Sequence, residues 1–103
     1  MSADDLSSLR AAVDDADRAI VAQLARRRSA VDALARHKRD ADLPATDATR
    51  EEQLRAMWRA EALAHGLPDE VALAVLDAVL ATSRQRVVAI VAGEVAPKGA
   101  DPV

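Results

Sequence analysis

LSSLRAAVDDADRAIVAQLARRRSAVDALARHKR, Leu6–Arg39, is the stretch on which the fold turns, because it runs for 34 residues without a Gly or a Pro. Its large apolar side chains fall at Leu6, Leu9, Val13, Ile20, Leu24, Val31 and Leu34. Steps of three, four and seven draw a stripe down one face of a 3.6-residue helix, so the spacing predicts one long helix with a buried face. That stripe meets charge. Arg27 lies between Leu24 and Val31, and Lys38 follows Leu34 by four. A pattern broken on a face expected to be buried points toward function. Arg27 and Lys38 are about three turns apart, so both point the same way with Cα atoms roughly 16 Å apart along the axis, a spacing at which two long side chains can clamp a small anion. Arg10 is roughly 25 Å from Arg27 along the same axis and about 100° around it. To serve the same small ligand, Arg10 has to come from a second copy of the chain.

Composition narrows the rest. A chain of 103 residues suits one domain, read here as a helical domain over residues 1–92 followed by a disordered tail over 93–103. Half of the residues are apolar, much of that alanine, with Trp58 the single aromatic. Thin faces of Ala, Val and Leu suit closely packed helices, and hairpin-spaced β-branched clusters are missing, so the expected class is all-α. The net charge of −3 argues against nucleic acid as a partner. Residues 6–39 nevertheless carry eight Lys or Arg against four Asp, a local positive field that favours a small anionic ligand. Without cysteine there is no disulfide framework or thiolate metal site, and a reducing cytoplasm is compatible. The acidic start, MSADDLSS, does not read as a signal peptide. The apolar run 71–82 is too short to span a bilayer and contains Asp77, so no membrane is expected.

Along the chain, Asp4 or Asp5 can cap the first helix, and Asp14 with Arg18 and Asp32 with Arg36 form acid-to-base pairs four apart. The segment DADLPAT should end it near Arg39. A second helix is expected from Asp47 or Thr49 to Gly66, with Leu54, Met57, Trp58 and Ala62 as its apolar face. Arg50 and Glu51 share the edge of that face near its N-terminal end. A third runs from Pro68 to about Val91, its stripe of Leu76, Val79, Leu80, Val87, Ile90 and Val91 interrupted by the Ser83 hydroxyl. His37 and His65 have no third ligand placed for a metal.

Taken together, LRAAVDDADRAIVAQLARRRSAVDALARHK (9–38), DATREE (47–52), GLPDE (66–70) and TSRQ (82–85) resemble the small all-α chorismate mutases over about residues 6 to 90. The resemblance implies a three-helix protomer intertwined with a second copy into a homodimer bearing two equivalent sites for a small dicarboxylate. It also implies roles. Arg10 would enter the partner's site to hold one carboxylate and Arg27 would hold another, while Lys38 would bond the ether oxygen and a carboxylate. Arg50 would steer the carboxylates, Asp47 would touch the ring hydroxyl through its backbone, and Glu51 would accept from that hydroxyl. Ser83 would bond the ring carboxylate. The implied reaction, chorismate to prephenate, is an intramolecular pericyclic shift that uses no nucleophile, metal or redox cofactor. Orientation and fixed positive charge are what it needs.

One position departs from the family. Four residues after Ser83 the family usually carries Gln, or sometimes Glu, to make a second bond to the ether oxygen, and here that residue is Val87. Gln85 is turned about 200° away and does not replace it. The departure leaves open a weak mutase, a mutase for 4-amino-4-deoxychorismate, and a non-catalytic or partner-activated regulator, and the shared fold also leaves open a lyase that removes pyruvate from isochorismate. Some family members are activated by the first enzyme of the shikimate pathway, which makes such an enzyme an expected partner. Singly, the residues have plainer readings. Arg27 sits in a run of three arginines that suits a solvated face, Lys38 complements a helix C-terminus, and Ser83 can bond a carbonyl one turn back.

Overall fold

The computed structural model describes residues 3–94, and the expected tail lies outside the described residues from 95 onward. Three helices account for the described residues without a strand: α1, Ala3–Asp40; α2, Ala48–Ala64; and α3, Asp69–Val91. The chain divides into two compact units, Met1–Ala30 and Val31–Val103, and α1 supplies residues to both.

All three helices close in the same way. Leu43 N donates to Lys38 O at 2.8 Å and Asp42 N to Arg39 O at 3.2 Å, with Asp42 in the left-handed region at φ 55°. Leu67 N to Ala62 O and Gly66 N to Leu63 O repeat the arrangement around Gly66 at φ 68°, and Glu94 N to Ala89 O repeats it around Gly93 at φ 78°. Each closure satisfies carbonyls that the last helical turn would leave unpaired. Glycine adopts this conformation without steric cost, whereas Asp42 is among the few other residue types that tolerate it. At the opposite ends, Asp47 caps α2 by accepting from Arg50 N at 3.1 Å, and Pro68 stands just before α3 with its ring holding φ at −59°.

The first unit, a segment of α1, departs from the expected buried face. Within this chain its stripe faces solvent: Leu6, Leu9, Val13, Ile20 and Leu24 are between 42% and 61% exposed. Val21 beside them is 65% exposed. Asp4 and Asp5 lie inside the first turn instead of capping it, because the helix already begins at Ala3. Arg18 reaches Asp15 at 3.0 Å where the spacing pointed to Asp14.

In the second unit α2 and α3 pack side by side. Leu76, Val79 and Leu80 on α3 are buried as the third-helix stripe predicts, Ala62 on α2 as its own apolar face predicts, and Ala72 on α3 is buried in addition. Met57, expected on the buried face of α2, is 46% exposed, while Trp58 is half-buried. Arg55 joins Asp77 at 2.8 Å across this pair of helices. The end of α3 docks on the last turns of α1, where Ala35, Val87 and Ile90 form a buried cluster edged by Val31, Ala45 and Val91. Ala35, with only a methyl side chain, is fully buried at this contact. Beside the cluster Arg86 grips Asp32 through two bonds, Nε to Oδ1 at 2.7 Å and Nη2 to Oδ2 at 2.9 Å. Asp32 thus has a partner 54 positions away, beyond the local one its spacing suggested.

Enlarging Ala35 tests this docking, because a well-packed site has no room for added methylenes. Ala35→Leu should lose about 1 to 3 kcal/mol in chemical denaturation at fixed protein concentration. Ala33→Leu, at an exposed position on the same helix, should change stability far less.

Candidate active site

Six of the eight expected site residues fall in the second unit, where α1 ends, α2 begins and the second half of α3 passes. The connection after α1 turns back so that Lys38 Nζ donates to Ala45 O at 3.2 Å. Ala45 in turn packs against the Ala35, Val87 and Ile90 cluster. Lys38 and Val87 are therefore joined through one loop residue, and the ammonium is held against its own helix end. Two residues further on, the Asp47 cap fixes the backbone of Arg50, whose side chain is exposed.

Glu51, in the first turn of α2, has a partner that local spacing did not reveal. Arg84 on α3 forks onto its carboxylate, with Nε donating to Oε2 at 2.8 Å and Nη2 donating to Oε1. Bidentate charged bonds of this type fix orientation as well as position. The Arg84 hydrogen bonds hold the Glu51 carboxyl below the usual glutamate range; burial opposes this, and the charges of Arg84 and Arg55 add to it. Ser83, adjacent to Arg84, donates to Val79 O at 2.8 Å, the plainer role open to it on an apolar helix. Val87 is 8% exposed and lies among apolar side chains.

Arg10 and Arg27 belong to the first unit. Arg10 is exposed, whereas Arg27 is half-buried and lines an open apolar trough of about 310 Å³ with Ala19, Ile20, Gln23 and Leu24. One uninterrupted helix separates the two arginines, which preserves their spacing of roughly 25 Å. A second groove, of about 370 Å³, lies between Met57, Trp58, Ala62 and Leu67 toward the C-terminal end of α2, and none of the expected site residues lines it.

Two features escaped the sequence reading. Arg84 and Arg86 each reach a carboxylate on another helix, and the available signal was that they are the two cations of α3. The Ala45 carbonyl carries no side-chain signal at all. The Glu51 pair has a testable consequence. A folded-state pKa below the unfolded one stabilises the protein above the ordinary glutamate range, and that contribution disappears as pH falls through the lowered value. Carboxylate titration by NMR should place the Glu51 midpoint below that of an unpaired glutamate, and Arg84→Met should raise it.

No curated protein matches the chain. The family model described as chorismate mutase type II matches residues 9–88, a span that begins beside Arg10 and takes in every expected site residue through Val87. Over that span, and with three helices as its architecture, the chain belongs to the chorismate mutase type II family.

Proposed function

We propose that the protein is a chorismate mutase that rearranges chorismate to prephenate in sites shared between two copies of the chain. The observation that carries this reading is the match of residues 9–88 to the family model, supported by the fork from Arg84, the neighbour of Ser83, onto Glu51 at the start of α2. Lys38 is suited to neutralise charge growing on the ether oxygen as its bond breaks, and Arg27 and Arg50 to hold the two carboxylates in the folded, chair-like geometry. Fixed cations on helices supply both orientation and electrostatic stabilisation. The Ser83 hydroxyl would turn from Val79 O to a substrate carboxylate. Glu51, ionised and already oriented, would accept from the ring hydroxyl.

The exposed stripe of α1 supports pairing of two copies. Five large apolar residues at 42% to 61% exposure along one helix face form the kind of surface that a partner covers. Arg10 lies on the same segment, where it can enter a site built by the other copy. Val87 favours a second element of the reading: with no polar group at that position, Lys38 alone serves the ether oxygen, so the isolated enzyme is slow, and a shikimate-pathway enzyme bound to it would raise its rate.

Three measurements test the proposal. Purified protein should convert chorismate to prephenate, and Arg27→Ala or Lys38→Ala should each lower kcat/KM by about a hundredfold or more. Pyruvate released from isochorismate instead, or turnover of 4-amino-4-deoxychorismate alone, would replace the assignment. Mixing Arg10→Ala with Lys38→Ala should restore about a quarter of the native activity, since half of randomly paired dimers are mixed and each carries one intact site of two. No recovery, or a monomer at every concentration in sedimentation, would remove the shared site. Finally, Val87→Gln should raise turnover of chorismate by up to about a hundredfold. The same change should lower the melting temperature, because an amide placed in this apolar cluster costs about 1 to 3 kcal/mol when it lacks a partner.

A further inference from the structure

We infer that Arg84 is a positioning residue that makes the site selective for a neutral ring hydroxyl over a ring ammonium, by offsetting the charge of Glu51 before substrate arrives. The inference rests on the chorismate mutase reading and deepens it. Its basis is the fork itself, in which Nε and Nη2 of Arg84 take one lone pair from each oxygen of Glu51. A carboxylate offers about four acceptor sites, so two remain, one on each oxygen, on the side away from the guanidinium.

A neutral hydroxyl loses nothing in this arrangement. It needs one oriented acceptor, and the fork holds that acceptor still against the start of α2. An ammonium at the same carbon would gain from the carboxylate but would meet the guanidinium on its far side. The two charges of the pair cancel, so an ammonium gains only the difference between a near attraction and a slightly more distant repulsion. The remaining charges acting on the pair are Arg55 from α2 and Asp77 from α3, which are joined to one another at 2.8 Å and so largely cancel as well. Arg84 is the uncompensated member of the arrangement once Glu51 is committed to substrate. Its side chain is about half exposed, which leaves it free to follow Glu51 without disturbing the core.

The test compares kcat and KM for chorismate and for 4-amino-4-deoxychorismate in the native protein, Arg84→Met and Arg84→Lys. Arg84→Met should shift the ratio of kcat/KM toward the amino substrate by about fivefold, chiefly through a lower KM for that substrate. Arg84→Lys, which keeps the charge, should hold the native ratio within about twofold. Raising pH until the substrate amine is neutral should abolish the difference between the native protein and Arg84→Met. A ratio unchanged in a folded Arg84→Met variant, or an equal loss of kcat on both substrates, would overturn the inference while leaving the mutase assignment standing. A native protein inactive on both substrates would overturn the assignment and this inference together. Circular dichroism checks folding, and Arg84→Gln supplies the same neutral comparison if the methionine variant does not fold.

Discussion

The contact between one turn of α1 and the last turns of α3 is the constraint on which the second unit depends. Ala35, Val87 and Ile90 fill the seam, and the Arg86 fork on Asp32 sets the register of the two helices. Apolar packing alone leaves two helices free to slide by small amounts, whereas a bidentate charged bond between fixed positions does not. Lys38 stands one turn beyond Ala35, and Ser83 and Arg84 stand one turn before Val87. The docking therefore determines which residues of α1 and α3 share a neighbourhood, and the return of the chain through Ala45 brings the start of α2 to the same place.

Charge is distributed in the second unit so that it organises without being buried alone. Three cations of the helical pair, Arg55, Arg84 and Arg86, each hold a carboxylate on a different helix. Lys38 takes a carbonyl, and Arg50 leaves its guanidinium exposed. This division separates cations that bridge two helices from those that do not. The acids that the bridging cations engage, Asp77, Glu51 and Asp32, lie on all three helices.

Much of the architecture was legible in the sequence. Pro44, Gly66 and Pro68 punctuate the chain at the observed breaks, and the apolar spacing of α3 marked five of its six buried residues, missing the small Ala72. Reading large side chains alone concealed Ala35, which is fully buried because it is small. The same periodicity identified the stripe of α1 but not its surroundings, since periodicity reports that a face is apolar and is silent on which chain covers it. The partners of Asp32 and Glu51 lie 54 and 33 positions away, and side-chain spacing within one helix carries no information about such pairs. The candidate site residues were named through resemblance to the family, whereas the engagement of Glu51 and Ser83 with α3 required coordinates.

The bond from Lys38 to Ala45 has a consequence for how its importance would be perceived. Its acceptor is a main-chain oxygen, so replacing the Ala45 side chain leaves the tether in place, and a survey of single substitutions would score this loop residue by its packing alone. What the tether responds to is chain length. Inserting or deleting one residue between Asp40 and Ala45 changes the span that returns the oxygen to the ammonium, so the count of this stretch, and not its spelling, is the property that holds the lysine in place.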